Sequence, residues 1–229
     1  MRADLSSAEA PPPHGGGPLL VLGPEPSAAR GAVILLHGRG AGIEGIAGLI
    51  EPIALPDLLW LVPEAATRSW YPESFMAPAA RNEIGIASAI GVIAALLDEL
   101  ETKGLPREQV AIMGFSQGAC LACEFAWRRP ARYGAIIGFT GAMISGAGPS
   151  TPLAEGEGAL AGTPVLLGAN DPDPHVPFDR VAQTAEALRG RGAVVELVRY
   201  PGEPHTVLPD EIVRARALLA TIEHEGLRR

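Results

Sequence analysis

Ala111-Ile112-Met113-Gly114-Phe115-Ser116-Gln117-Gly118 is a short apolar run that breaks into Gly-x-Ser-x-Gly and then continues in a helical pattern. Gln109 to Met113 reads as a buried strand, and Gln117 to Arg128 as a helix that stops before Pro130. Between a strand and a helix, this pentapeptide forms a tight turn. The turn strains the serine backbone and lifts its hydroxyl above the carboxyl end of a parallel sheet. A Cβ at either flanking position would strike the neighbouring strand or helix, which accounts for both glycines. The helix start behind the serine offers unpaired N–H groups to a developing negative charge. A plain βα turn with a serine N-cap uses the same letters. The strand before and the helix after favour the strained turn.

Outward from this point, short apolar runs alternate with helical patterns, the mark of a mostly parallel sheet with crossover helices. Leu19 to Leu22 reads as an edge strand. Ala32 to Leu36, Leu58 to Val62, Ala135 to Phe139, Pro164 to Gly168 and Val194 to Tyr200 read as further strands. Arg81 to Leu100, Phe178 to Arg189 and Leu208 to Glu223 read as helices, the first stopped by Gly104. Gly141 to Gly162 is rich in Gly, Ser and Pro and reads as a long surface loop. Residues 1–18, Pro- and Gly-rich from Ala10, are expected to be a flexible lead-in. Residues 19–229 are expected to form one α/β domain.

Composition narrows the function classes. The chain has 229 residues, 47% of them apolar, enough for one sizeable core. A net charge of −8 with no basic run argues against a nucleic-acid partner. No apolar run is long enough for a transmembrane helix, and the first residues lack a signal-peptide pattern, so no stable membrane insertion and a cytoplasmic location are expected. The two cysteines, Cys120 and Cys123, are too few and too close for a disulfide framework. They lie inside a helix without clustered ligands and read as small packing residues. No metal site, phosphate loop or dinucleotide fingerprint is evident, so no cofactor is expected. Gly38-Arg39-Gly40 does not open a G-x-G-x-x-G, because position 43 is Ile43.

A serine hydroxyl needs a base and an acceptor for the oxyanion it creates. The strand ending at Leu36 runs into His37-Gly38-Arg39-Gly40, and a loop after an early central strand supplies one oxyanion N–H in such folds. The backbone N–H groups of Arg39 and Gln117 are the expected donors. His37 reads as a core histidine that orders this loop, and the Arg39 side chain as solvated. The string His14-Gly15-Gly16-Gly17 matches a lipase-type oxyanion motif, but no strand precedes it. After Ser116 the order is acid, then histidine. His205, in the loop after the strand ending at Tyr200, is the expected base. The acid lies in Asp171-Pro172-Asp173-Pro174-His175-Val176-Pro177. Asp173, pinned by the prolines before a helix, is preferred to Asp171, which has a ready role as a turn residue. His175 reads as a loop residue at the rim.

These four motifs together resemble the phospholipase/carboxylesterase family of the α/β-hydrolase fold, which includes acyl-protein thioesterases and small bacterial carboxylesterases. Arg68-Ser69-Trp70-Tyr71 resembles the family's Ser-Trp-aromatic stretch. The resemblance implies a compact α/β-hydrolase without a large cap, hydrolysis of acyl esters or thioesters, and Asp173 as the acid. It also brings the prospect of a homodimer. Arg39 stands where thioesterases often carry leucine, and Ala41 where many have aspartate. Tyr71-Pro72-Glu73-Ser74-Phe75-Met76 also departs from the thioesterase form. A bacterial-type carboxylesterase for small to medium acyl esters is therefore expected, with Trp70, Tyr71, Phe75 and Met76 as substrate-binding residues. The rival readings are a dienelactone-hydrolase-like enzyme, whose usual nucleophile is cysteine, and a non-catalytic scaffold that only binds a ligand.

Overall fold

The structure, a computed structural model, describes residues 5–6, 9–144 and 160–222. Its strands are β1 (Leu19–Leu22), β2 (Gly31–Leu36), β3 (Leu58–Pro63), β4 (Val110–Phe115), β5 (Ala135–Phe139), β6 (Pro164–Asp171) and β7 (Val194–Pro201). They form one sheet in the order β1-β3-β2-β4-β5-β6-β7. Only β1 runs antiparallel to its neighbour, and the five other pairings are parallel. The α-helices are α1 (Gly42–Ala47), α2 (Ile50–Ile53), α3 (Ala79–Thr102), α4 (Gln117–Arg128), α5 (Phe178–Gly190) and α6 (Pro209–Ala220).

The central strands read as unbroken apolar runs because both faces of the sheet are covered. Alternate residues serve opposite cores. Ala32, Ile34 and Leu36 of β2 join the core under α3, α4 and α5. Val33 and Leu35 join the one under α1, α2 and α6. Each such fully buried Leu or Ile contributes about 1.5–3 kcal/mol relative to exposure. Edge strand β7 instead alternates exposed and half-buried residues. No helix among the described residues is long and apolar enough to cross a membrane.

Two expectations change. The stretch around His14 is packed down, not a flexible lead-in. His14 is 3% exposed, and its backbone N–H donates to Ser88 Oγ at 2.9 Å. Ser88 in turn donates to the Pro11 carbonyl at 2.7 Å. The Pro11 ring lies where a Cβ at Gly91 of α3 would be, 2.5 Å from it. The second change is that β6 runs on to Asp171, three residues past its expected end. Most of the expected surface loop lies outside the described residues, as does Glu223. The near end of that loop turns inward, with Ala142 and Ile144 buried.

α6 begins with a buried carboxyl. Glu211 is fully buried, and its Oε2 accepts the Leu208 N–H at 2.8 Å. Its Oε1 has no partner among the described residues. Burial pushes the Glu211 pKa up to about 7. An unfolded glutamate titrates near 4.5, so between the two values the folded chain holds a proton that the unfolded chain has lost. Stability from this group is complete below the lower value and is lost as pH rises through the higher one. Glu211→Gln mimics the protonated acid. Its stability relative to wild type should grow by about 2 kcal/mol between about pH 5.5 and pH 8 in urea unfolding. An unchanged difference would mean that the carboxyl is ionised in the fold.

Candidate active site

The sheet order reverses at β2, the strand flanked by β3 and β4, so the loops leaving β2 and β4 face one crevice at the carboxyl ends. Ser116 follows β4 with φ 54° and ψ −116°. This left-handed conformation costs a non-glycine residue about 1–3 kcal/mol and persists only where surrounding structure enforces it. The enforcement is visible. The Ser116 N–H donates to the Phe139 carbonyl at 3.0 Å, and the Ser116 carbonyl accepts the Cys120 N–H at 2.9 Å. A Cβ on Gly114 would sit 2.4 Å from the Gly118 backbone, and one on Gly118 only 2.1 Å from the Leu36 carbonyl oxygen. The turn closes only with both glycines.

Ser116 Oγ lies 2.9 Å from His205 Nε2. On the other side of the ring, His205 Nδ1 lies 2.6 Å from Asp173 Oδ2. Asp173 accepts the Nδ1 proton, which leaves the Nε2 lone pair facing the serine hydroxyl. The second carboxylate oxygen of Asp173 accepts the N–H groups of His175 at 2.7 Å and Val176 at 2.8 Å. Burial alone would raise the Asp173 pKa. The Val176 N–H, the imidazole and the His175 N–H outweigh it and hold the carboxyl below its usual range. Asp171 points elsewhere and accepts from Arg199 Nε at 2.6 Å. His175 is exposed at the rim, its ring edge-on to His205 at 4.9 Å.

Sequence reasoning missed Asn170. This fully buried residue of β6 donates from Nδ2 to the Pro204 carbonyl and, at 2.9 Å, to the Thr206 carbonyl. It therefore grips the chain on both sides of His205. Asn170→Ala should lower kcat about 100-fold by letting the imidazole drift. It should also cost about 1–3 kcal/mol of stability through the two unpaired carbonyls. Steady-state kinetics with thermal melts would check both, and an unchanged kcat in a destabilised variant would limit Asn170 to a structural part.

The backbone N–H groups of Arg39 and Gln117 have no hydrogen-bond partner among the described residues, and both residues line the pocket beside Ser116. His37 is buried beneath this loop. Its Nδ1 donates to the Gly38 carbonyl at 2.8 Å, and its Nε2 accepts the Ala65 N–H at 3.0 Å. Burial lowers its pKa and keeps the ring neutral, as it does for His14. The Arg39 side chain is solvent-exposed, as expected, and is also latched. Its guanidinium donates to the carbonyls of Pro72 at 2.7 Å and Glu73 at 2.5 Å and to Ser69 Oγ at 3.3 Å. It also lies over the Tyr71 ring.

The cleft above Ser116 holds about 660 Å³, and its lining includes Tyr71, Phe75, Met76, Ala41 and Ile46. Met76 is half exposed at the mouth. Trp70, expected as a contact residue, is not on the wall. It is fully buried behind it, stacked near His14 and His37, with Nε1 donating to the His37 carbonyl at 2.9 Å. Cys120 touches the cleft floor, and burial raises its thiol pKa to about 11. Both cysteines are free and buried, consistent with packing residues.

A mostly parallel sheet, a strained serine after a central strand, and a histidine and an aspartate from the two strands beyond define an α/β-hydrolase. The chain belongs to the phospholipase/carboxylesterase family, whose model matches residues 21–223. It is similar to the crystal structure of a phospholipase/carboxylesterase from Dyadobacter fermentans. The two share 38% identity over 92% of this chain and 99% of that one, with a TM-score of 0.82. Among curated proteins, carboxylesterase SOBER1 of Arabidopsis thaliana is 27% identical over 80% of this chain and 87% of its own. Acyl-protein thioesterase 1 of Gibberella zeae is 27% identical over 54% of this chain. That match spans about half of the thioesterase, 52%.

Proposed function

We propose that this protein is a serine carboxylesterase that hydrolyses small to medium acyl esters and thioesters through an acyl-enzyme on Ser116. The observation that carries the reading is the hydrogen-bonded chain Ser116–His205–Asp173 at the cleft floor, with links of 2.9 and 2.6 Å. In the first half-reaction Ser116 Oγ attacks the acyl carbon while its proton passes to His205 Nε2. The charge on the carbonyl oxygen falls between the N–H groups of Arg39 and Gln117. Asp173 keeps the tautomer and stabilises the imidazolium. His205 then protonates the leaving oxygen or sulfur, and the C–O or C–S bond breaks. In the second half-reaction His205 takes a proton from water, hydroxide adds to the acyl carbon, and the acid departs as Oγ regains its proton. No cofactor is needed.

The substrate range follows from the cleft. A volume of about 660 Å³ with an apolar wall of Tyr71, Phe75 and Ile46 suits a compact acyl chain. Hydrolysis of p-nitrophenyl esters from acetate to palmitate, with fluorophosphonate labelling, tests the proposal. Labelled protein with a rate maximum at short or medium chains is expected. A folded protein that hydrolyses none of the esters and resists the probe would leave only a ligand-binding scaffold.

A further inference from the structure

The segment from Ser69 to Glu73 is tied to both sides of the site by side chains of the two residues whose backbone N–H groups are the proposed oxyanion donors. From one side comes the three-pronged Arg39 guanidinium. From the other, the buried Gln117 carboxamide accepts the Trp70 N–H at 3.0 Å and donates to the Tyr71 carbonyl at 2.8 Å. The two meet at a single hydroxyl. Ser69 Oγ accepts from Arg39 Nη1 and from Gln117 Nε2, each at 3.3 Å, and donates to the Tyr71 carbonyl at 2.9 Å. One donor and two acceptor positions are all that a hydroxyl has, so its capacity is fully used. A further link joins the Gly40 N–H to the Arg68 carbonyl at 2.7 Å.

Arg39 sits between Gly38 and Gly40, and Gly40 has φ 79° with nothing within 4 Å of where a Cβ would lie. Such a backbone has little stiffness of its own, yet an oxyanion hole stabilises charge only if its donors are already aimed. The Arg39 side chain makes no ion pair among the described residues. All its hydrogen bonds go to neutral acceptors on this one segment.

We propose that Ser69, with the side chains of Arg39 and Gln117, forms a brace that holds the two oxyanion N–H groups in register, so that Ser69 is a positioning residue for the transition state. The proposal rests on the hydrolase reading above. It makes the segment behind the pocket wall part of the catalytic geometry, although Ser69 touches no reacting atom.

The test uses the full chain, four single variants, S69A, S69T, R39M and R39K, and one double variant, with p-nitrophenyl butyrate and a trifluoromethyl ketone that mimics the tetrahedral state. S69A and R39M should each lower kcat about tenfold with KM within about twofold. Both should weaken the ketone by the same factor. S69T keeps the hydroxyl and should recover most of the rate. R39K keeps the charge without the fork and should behave as R39M. The double variant S69A/R39M should lose little beyond either single one, because both cut the same brace. Wild-type kcat and ketone affinity in S69A and R39M would overturn the brace while leaving the esterase intact. So would a kcat loss with undiminished ketone binding, or a wild-type-like R39K, which would credit charge alone. An inactive, unlabelled wild type would instead remove the hydrolase reading and the brace with it.

Discussion

Ser116→Ala should lower kcat on p-nitrophenyl butyrate by about a millionfold and abolish fluorophosphonate labelling. On the proposed mechanism, loss of Oγ removes the acyl-enzyme and leaves the water reaction in a cleft that would still bind the ester and offer two N–H groups to its oxygen. About 10³–10⁴-fold over the uncatalysed rate should survive for that reason. Adding His205→Ala should cost almost nothing more, since the base has no proton left to move. Asp173→Asn should cost about 10⁴-fold by allowing the wrong imidazole tautomer. Asp171→Asn, whose carboxylate faces Arg199, should leave kcat within about twofold. Ser116→Gly should be as inactive as Ser116→Ala but more stable by about 1 kcal/mol, because only glycine accepts φ 54° without strain. A Ser116→Ala enzyme retaining about one per cent of its rate would place the nucleophile elsewhere.

Gly118→Ala should be a severely damaging single methyl. The added carbon would lie 2.1 Å from the Leu36 carbonyl oxygen, 2.6 Å from its carbon and 2.8 Å from the His37 oxygen. All three are backbone atoms where β2 leaves the sheet, so no rotamer change relieves the contact. Either α4 lifts or the end of β2 moves, and either shift spoils core packing and the oxyanion loop together. A loss of at least about 4 kcal/mol is expected. That corresponds to a melting point lower by about 10 °C or more for a chain of this size. Gly48→Ala is the matched control. It has a helical φ of −60° and nothing within 4 Å of the new carbon. It should melt within about 2 °C of wild type or slightly above it. Equal melting of the two variants would mean that the turn tolerates movement.

What the sequence displayed and what it concealed divide along locality. The run from Ala111 to Gly118 carries its own strand, turn and helix signals, and the motif order placed His205 and an aspartate beyond it. The glycines worked as letters because their role is steric and immediate. Asn170 was invisible because Gly168-Ala169-Asn170-Asp171 looks like the turn after a strand, whereas β6 continues through it in register with β7. α1 and α2 escaped notice because six and four residues are too few for a helical period to show. Arg39 is exposed as it reads, but its latch is hidden because its acceptors are carbonyl oxygens 33 and 34 residues away, which no local pattern encodes. Trp70 resembled a pocket residue by neighbourhood, yet its ring turns inward between two buried histidines. The Pro- and Gly-rich composition around His14 suggested looseness, while the fit to Ser88, Gly91 and Trp70 depends on α3, far along the chain.

That docked stretch also determines where the polypeptide can be cut or extended. His14 Nε2 bonds the Trp70 carbonyl at 2.9 Å, and its Nδ1 accepts the Ala66 N–H at 3.0 Å. A protease or a shortened expression clone that removes everything before Leu19 would take away the support behind the wall carrying Tyr71 and Phe75. The loss would be read as poor catalysis although every reacting group was intact. Leu5 is also buried in the main core, so affinity handles and fusion partners at the amino end should be joined ahead of Leu5, and their removal site kept there too.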